Sequence, residues 1–214
     1  MIDVYVFGLN SLSKILAKYL EHDDRYRLLG FTVNEEYFDV SEYFGYPVRP
    51  VEDISGNGDC YGLFNGVGYS GQLGARQTTS LWIKEKKIPQ LTYIHPNAVT
   101  EGAVIGDGSI ILPGVIIEPY SRVGNGNVFY GNCCICHDGE IGDYNWFSAG
   151  CVLAGHVRVG QRNFVGINAA VRERISIGSR STVGAGAVVI NDISDGTTVV
   201  GNPACPLNRN STEN

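Results

Sequence analysis

From Val99 to Val189 every sixth residue is a branched aliphatic or a phenylalanine, through sixteen consecutive hexads without a slip. The run opens Val99, Ile105, Ile111, Ile117 and closes Val171, Ile177, Val183, Val189. Helices and ordinary strands have periods of about 3.6 and 2, so neither keeps phase with a repeat of six. A hexad repeat predicts a parallel β-helix, in which short strands turn corners at fixed intervals and successive coils stack.

A second period lies inside the first. Glycine follows the aliphatic at Gly106, Gly124, Gly142, Gly160 and Gly178, a spacing of eighteen residues or three hexads. A triangular coil with one hexad per side predicts that spacing. Glycine at these places is expected to serve corners, where it tolerates backbone conformations that other residues resist. The fifth hexad position is mostly small, as at Ala103, Ser109, Cys133, Gly139, Cys151, Ala169 and Ala187, which lets corners close over the interior. Ladder bonds would repeat at about 4.8 Å per coil, and each aliphatic column would form a continuous core.

The remaining composition suits a two-part soluble protein. Of 214 residues, 43% are hydrophobic and 18% charged, enough apolar material for packed cores. A net charge of −6 excludes nonspecific nucleic-acid binding, which needs a basic surface. No apolar stretch has the length needed to cross a bilayer, so no membrane insertion is expected. Met1-Ile2-Asp3 leads straight into an apolar run with no basic segment before it. With six cysteines in such a chain, a reducing cytoplasm and free thiols are expected. Cys133 and Cys151 share a small slot one coil apart and read as packing residues. No second pair with zinc-site spacing accompanies Cys133, Cys134 and Cys136, so no metal is expected.

Residues 1–94 read as a small α/β domain, 95–194 as the β-helix and 195–214 as a C-terminal segment and tail. Val4 to Gly8 reads as a buried strand, and Ser11 or Ser13 can cap a helix from Leu12 to Leu20. Leu28 to Val33 and Asp59 to Gly68 read as further strands. A helix around Thr78 to Lys87 precedes a strand from Gln90 to Ile94. Alternation of this kind predicts a Rossmann-like parallel sheet with ligands at the strands' carboxyl ends. Gly8-Leu9-Asn10-Ser11 lacks the glycine-rich dinucleotide fingerprint, which argues against an NAD-type cofactor. A docking domain that binds nothing is the plain alternative.

Of the four histidines, His22 reads as a solvated surface residue and His95 as one that packs or hydrogen-bonds beside Pro96. His137 and His156 fall on one face of the prism in adjacent coils. Subtracting eighteen from 156 gives Asp138, so His156 and Asp138 stack about 5 Å apart while His137 lies beneath Gly155. An imidazole beside a carboxylate, with a glycine leaving room above, suits a general base; a hydrogen-bonded structural histidine explains the same spacing.

The hexads, His137-Asp138-x-x-Ile141-Gly142-Asp143, Ala154-Gly155-His156-Val157, Gly166-Ile167-Asn168 and the closing Gly201-Asn202-Pro203-Ala204 resemble bacterial sugar acyltransferases of the PglD/NeuD kind. The resemblance implies a left-handed β-helix of hexapeptide repeats, a homotrimer, and an N-terminal α/β domain that holds a nucleotide-linked sugar. The left hand departs from the usual right-handed crossover. It further implies direct transfer of an acetyl group from acetyl-CoA to a sugar amine. His137 matches the catalytic base and Asp138 the acid that orients it. Gly155 matches a glycine whose N–H binds the thioester carbonyl, and Gly166, Ile167 and Asn168 match a segment lining the pantetheine groove.

Departures from that pattern are few. Trp146 stands where some relatives carry a second histidine near the acetyl group, so an apolar wall of the CoA groove or a core position is expected. His156 replaces a frequent asparagine and either assists or lines the groove. The sugar-nucleotide loop is represented by Gly8, Asn10 and Ser11, with Asn34 or Glu35 standing for an acid that holds the base. Gly68-Tyr69-Ser70 matches a second ligand-facing loop. The implied activity is an N-acetyltransferase acting on a dTDP-, UDP- or GDP-linked amino sugar for lipopolysaccharide or capsule synthesis. An O-acetyltransferase on the same scaffold is the alternative. A γ-carbonic-anhydrase-like metalloenzyme needs three convergent histidines, and only two lie in the hexads.

Overall fold

The computed structural model describes residues 1–54, 61–69 and 74–207. It divides into two compact units, Met1–Thr92 and Tyr93–Asn214.

In the first unit, β1 (Ile2–Phe7) lies between β2 (Tyr26–Val33) and β5 (Gly62–Asn65), parallel to both. Beyond β2 come β4 (Tyr46–Pro50), again parallel, and the short antiparallel β3 (Glu42–Tyr43). The sheet order is β3-β4-β2-β1-β5. Chain connections therefore depart in opposite directions from β1, and the crevice above β1 and β5 is the kind of switch point where open parallel sheets bind ligands. The inner strands are apolar on both faces, as strands covered on both sides must be: Val4, Val6, Phe31, Leu63 and Phe64 are fully buried. Helix α1 spans Ser11–Leu20, and its cap corrects the expectation. Asn10, not Ser11 or Ser13, is the N-cap; its Oδ1 accepts from Leu12 N and Ser13 N, and Ser13 Oγ accepts from Asn10 N. Helices α2 (Val51–Ile54) and α3 (Gly74–Glu85) complete the unit. Asp59, Cys60 and Ser70, which the expected strand and loop include, lie outside the described residues.

The expected strand from Gln90 to Ile94 is divided. Gln90 bridges Leu63 in the first unit, whereas Tyr93–Ile94 pairs in parallel with Ile110–Ile111 and opens the repeat. From Val104–Ile105 to Val188–Val189 there are fifteen two-residue strands, six residues apart, in three parallel sheets of stacked coils. We call these faces the first (through Val123 and Ile141), the second (through Phe129 and Phe147) and the third (through Ile135 and Leu153). The stacked parallel strands fit a left-handed β-helix. Inward residues form one core, with Phe129 and Phe147 stacked 4.7 Å apart at 5°.

Corner geometry corrects the reading of the glycines. The residue three places after each inward aliphatic, from Gly102 to Gly186, has positive φ at every one of the fifteen corners, including Asp138 (58°) and His156 (59°). The glycines at 106, 124, 142, 160 and 178 are not among them. They are required by close approach: a Cβ on Gly142 would lie 2.6 Å from the Gly160 carbonyl oxygen. A further column escaped the sequence reading. Asn127, Asn145 and Asn163 are buried one above another, each Oδ1 accepting the next backbone N–H at 2.8 Å. Their amide groups satisfy corner carbonyls such as Gly142 O and Gly160 O. Among the described residues no helix is long and apolar enough to cross a membrane.

Candidate active site

The corner that joins the third face to the first carries the polar cluster. After Cys134–Ile135 the chain turns through His137 and Asp138 before Glu140–Ile141 begins. One coil later, Gly155 and His156 make the same turn, and His156 N donates to His137 O at 3.0 Å. The αL conformation that this corner demands is one that Asp and His adopt more readily than most residues.

His137 is fixed by four neighbours. Its ring Nδ1 lies 2.9 Å from Asp138 Oδ2, and both side chains are about half exposed. Since the carboxylate only accepts, Nδ1 carries the hydrogen, and in the neutral imidazole Nε2 carries the lone pair. The backbone N–H of His137 donates to Glu118 Oε2 at 2.7 Å. The ring lies against Gly155: a Cβ there would come within 2.7 Å of Cε1 and 2.8 Å of Nε2. His156 packs edge-on, with ring centroids 5.2 Å apart. The Gly155 N–H has no acceptor among the described residues. An imidazole held through Nδ1 by a carboxylate and a free backbone donor thus stand together at this corner.

Four of the sequence-derived site residues, His137, Asp138, Gly155 and His156, are therefore together. Others are elsewhere on the prism. Trp146 belongs to the second face, opposite this corner, where it is buried and packs on Tyr130 at 5.2 Å between centroids. Gly166, Ile167 and Asn168 turn the corner between the second and third faces, with the Ile167 side chain exposed. Within one chain neither group shares the His137 corner. His22 is exposed, and His95 Nδ1 accepts from Asn97 N at 3.1 Å.

Cys133 and Cys151 stack inside the prism with sulfurs 3.7 Å apart, and their mutual contact and burial push the Cys133 thiol up. Cys134 and Cys136 point outward, and burial pushes the Cys134 thiol up to about 12. The sequence reading gives these two no ligand set; the structure brings Glu118 to them. Glu118 escaped that reading, although it stands one eighteen-residue coil before Cys136 and so directly under it.

In the first unit a cleft of about 930 Å³ opens at the carboxyl ends of β1, β2 and β5. Gly8, Leu9, Asn34 and Val67 line it, with Gly74 and Thr78 from α3. Asn34 Oδ1 is buried without a hydrogen-bond partner among the described residues. Of the other residues assigned to sugar-nucleotide binding, Asn10 is engaged as the helix cap and Gly68 packs against it. Ser11 is the exposed first residue of α1, and Tyr69 is exposed; none of the four is among the residues lining the cleft.

No family model matches the chain, and no curated protein does. Solved structures do. The acetyltransferase domain of PglB from Neisseria gonorrhoeae, in complex with acetyl coenzyme A, is 27% identical with a TM-score of 0.85, over 96% of this chain and 98% of that one. PerB from Caulobacter crescentus, in complex with CoA and GDP-perosamine, is 24% identical at a TM-score of 0.84, over 96% and 97%. WeeI from Acinetobacter baumannii is 22% identical at 0.86, over 97% and 100%. The last two establish likeness of fold. Sequence motifs and structure therefore agree that this chain is similar, over nearly its whole length, to the nucleotide-sugar acetyltransferases of the hexapeptide-repeat family.

Proposed function

We propose that the protein is an acetyl-CoA-dependent N-acetyltransferase acting on the amino group of a nucleotide-linked amino-deoxy sugar, in the cytoplasm, for surface-polysaccharide synthesis. The observation that carries this reading is the His137 corner, where Asp138 holds Nδ1 and leaves Nε2 basic beside the free Gly155 N–H. Nε2 accepts a proton from the sugar amine as its nitrogen attacks the thioester carbonyl. The Gly155 N–H stabilises the oxyanion of the tetrahedral intermediate. Collapse expels the CoA sulfur, which recovers the proton from the imidazolium, and the acetyl group leaves on nitrogen.

The cleft in the first unit is the proposed seat of the nucleotide. Its position at the carboxyl ends of the parallel strands and the unpaired Asn34 Oδ1, an acceptor suited to a base N–H, support that assignment. A homotrimer is proposed as the working form. Ile116 and Val152 are exposed apolar residues on the third face, one coil either side of Cys134, and the Gly166–Asn168 corner can meet a His137 only on another copy.

Incubation with acetyl-CoA and a panel of 3- and 4-amino-6-deoxy sugar nucleotides, followed by mass spectrometry, tests the reaction and separates N- from O-acetylation. Replacing His137 with Ala or Asn should lower kcat by about 10² to 10⁴ while CoA binding persists. Near wild-type turnover in His137→Ala would refute the assignment of the base. Light scattering that finds a fully active monomer would refute the trimer.

A further inference from the structure

We infer that Glu118, Cys134 and Cys136 form a binding site for one thiophilic divalent cation of the zinc or cadmium type, on the third face beside the His137 corner. Cys134 and Cys136 flank the inward Ile135, so strand alternation sends both sulfurs out through the same wall of the prism. Their Sγ atoms are 4.0 Å apart. Glu118 occupies the column of Cys136 one coil earlier, and one donor atom from each of the three lies within 4.8 Å of the others.

These spacings suit an ion better than a covalent bond. Two thiolates on a tetrahedral zinc, each at about 2.3 Å, stand roughly 3.8 Å apart, so the observed sulfurs need almost no movement. A disulfide between them would have to close to about 2.05 Å, across a strand whose alternate Cα atoms are about 6.6 Å apart, near the upper limit for such bonds. The strand resists buckling because Cys134 and Ile135 are laddered on both sides, to Ile116–Ile117 and to Val152–Leu153.

The donor set also fits. Two soft sulfurs and one carboxylate select zinc-like ions over magnesium or calcium, and three protein ligands leave the fourth position for water. All three residues are partly buried within one chain. Glu118 is already oriented, because its Oε2 accepts the His137 N–H at 2.7 Å. Its other oxygen remains for the ion, and such outer support is what holds metal ligands in place.

The test is a cadmium titration of the reduced, metal-free full chain carrying Cys60→Ser and Cys205→Ser, followed by thiolate-to-cadmium absorption and native mass spectrometry. The expected result is one ion per chain with a thiolate band that disappears in Cys134→Ser and in Cys136→Ser. The remaining thiols, Cys133 and Cys151, are fully buried. Glu118→Gln should weaken binding by at least the ~10–100-fold that loss of even an outer partner costs. Absence of a stoichiometric thiolate band in the unsubstituted site overturns the inference, and this outcome does not depend on whether any cysteine variant folds. So does a band that survives loss of both cysteines, or a Glu118→Gln variant that binds as tightly as its parent.

Discussion

Replacing Gly155 with alanine should separate activity from stability. A Cβ built on Gly155 lies 2.7 Å from His137 Cε1, 2.8 Å from Nε2 and 3.3 Å from Nδ1. Ordinary carbon contacts begin at about 3.5 Å, so the imidazole must retreat by roughly 0.8 Å. A movement of that size stretches the 2.9 Å bond to Asp138 and displaces Nε2 from the place where, in the proposed reaction, it takes the amine proton. Misplacement of a reacting group by about 1 Å costs on the order of 10² in rate. Stability should not follow. Gly155 is absent from the positive-φ residues, so alanine is conformationally permitted there. The obstructing atoms belong to a half-exposed side chain that can swing away, in contrast to Gly142, whose obstruction is backbone.

The expected outcome is therefore a kcat lower by about 10². The melting temperature should be unchanged or slightly higher, since Gly→Ala at a compatible site contributes about 0.4–1 kcal/mol through the unfolded chain. Steady-state kinetics and a thermal melt on one preparation read both quantities. A double-mutant cycle adds a second constraint. If the only effect of the methyl is to move the imidazole, Gly155→Ala should do nothing further in a His137→Ala background. Near wild-type turnover in Gly155→Ala, or an additive loss in the cycle, would refute the argument.

Two other perturbations probe the prism itself. Asn145→Ala removes four hydrogen bonds at once; Gly142 O keeps Asn127 Nδ2, but Gly160 O and the Asn163 backbone and side-chain N–H groups lose their partners, and at about 1–3 kcal/mol for each buried orphan chemical denaturation should show a loss of several. Trp146→Ala should destabilise by about 3–5 kcal/mol as a core truncation, with Trp146→Phe nearly silent. If Trp146→Ala instead melts normally and raises KM for acetyl-CoA, its indole walls a groove completed by another copy.

The β-helix was legible because its constraint is local and repeated. Each inward position must be apolar whatever its coil, and eighteen residues return the chain to the same column, so His137 could be set beneath Gly155 by subtraction. The same arithmetic reaches Glu118 and the column of Asn127, Asn145 and Asn163, but an asparagine among small corner residues does not by itself announce a ladder. What spacing cannot supply is the physical cause at a position. Glycine at 142 looks the same in sequence whether a corner needs its φ or a neighbouring coil needs its missing Cβ, and only the 2.6 Å approach of Gly160 O decides. The N-terminal unit was less legible because its sheet is held by non-local pairings. Tyr46–Pro50, which contains Pro47 and ends on Pro50, gave no strand signal, yet it pairs with Phe31–Val33.

Position on the prism also sets a limit on what one chain can do. A triangular coil has three corners, and residues eighteen apart share one, whereas residues nine apart, such as His137 and Trp146, stand half a turn from each other. The His137 corner holds the proposed base, the carboxylate at its Nδ1 and a backbone donor, all supplied by two adjacent coils. It has no apolar wall of its own for a long thiol ester, since Trp146 and Ile167 are on other parts of the same prism. The proposed trimer would remove that limit by bringing one chain's corner against another chain's face. Mixing two inactive variants tests this directly: His137→Ala chains and chains disabled in the Gly166–Asn168 corner should recover activity when refolded together, as a shared site requires. Recovery would be impossible if each site lay within one chain, and its absence in confirmed mixed oligomers would return both halves of the site to a single prism.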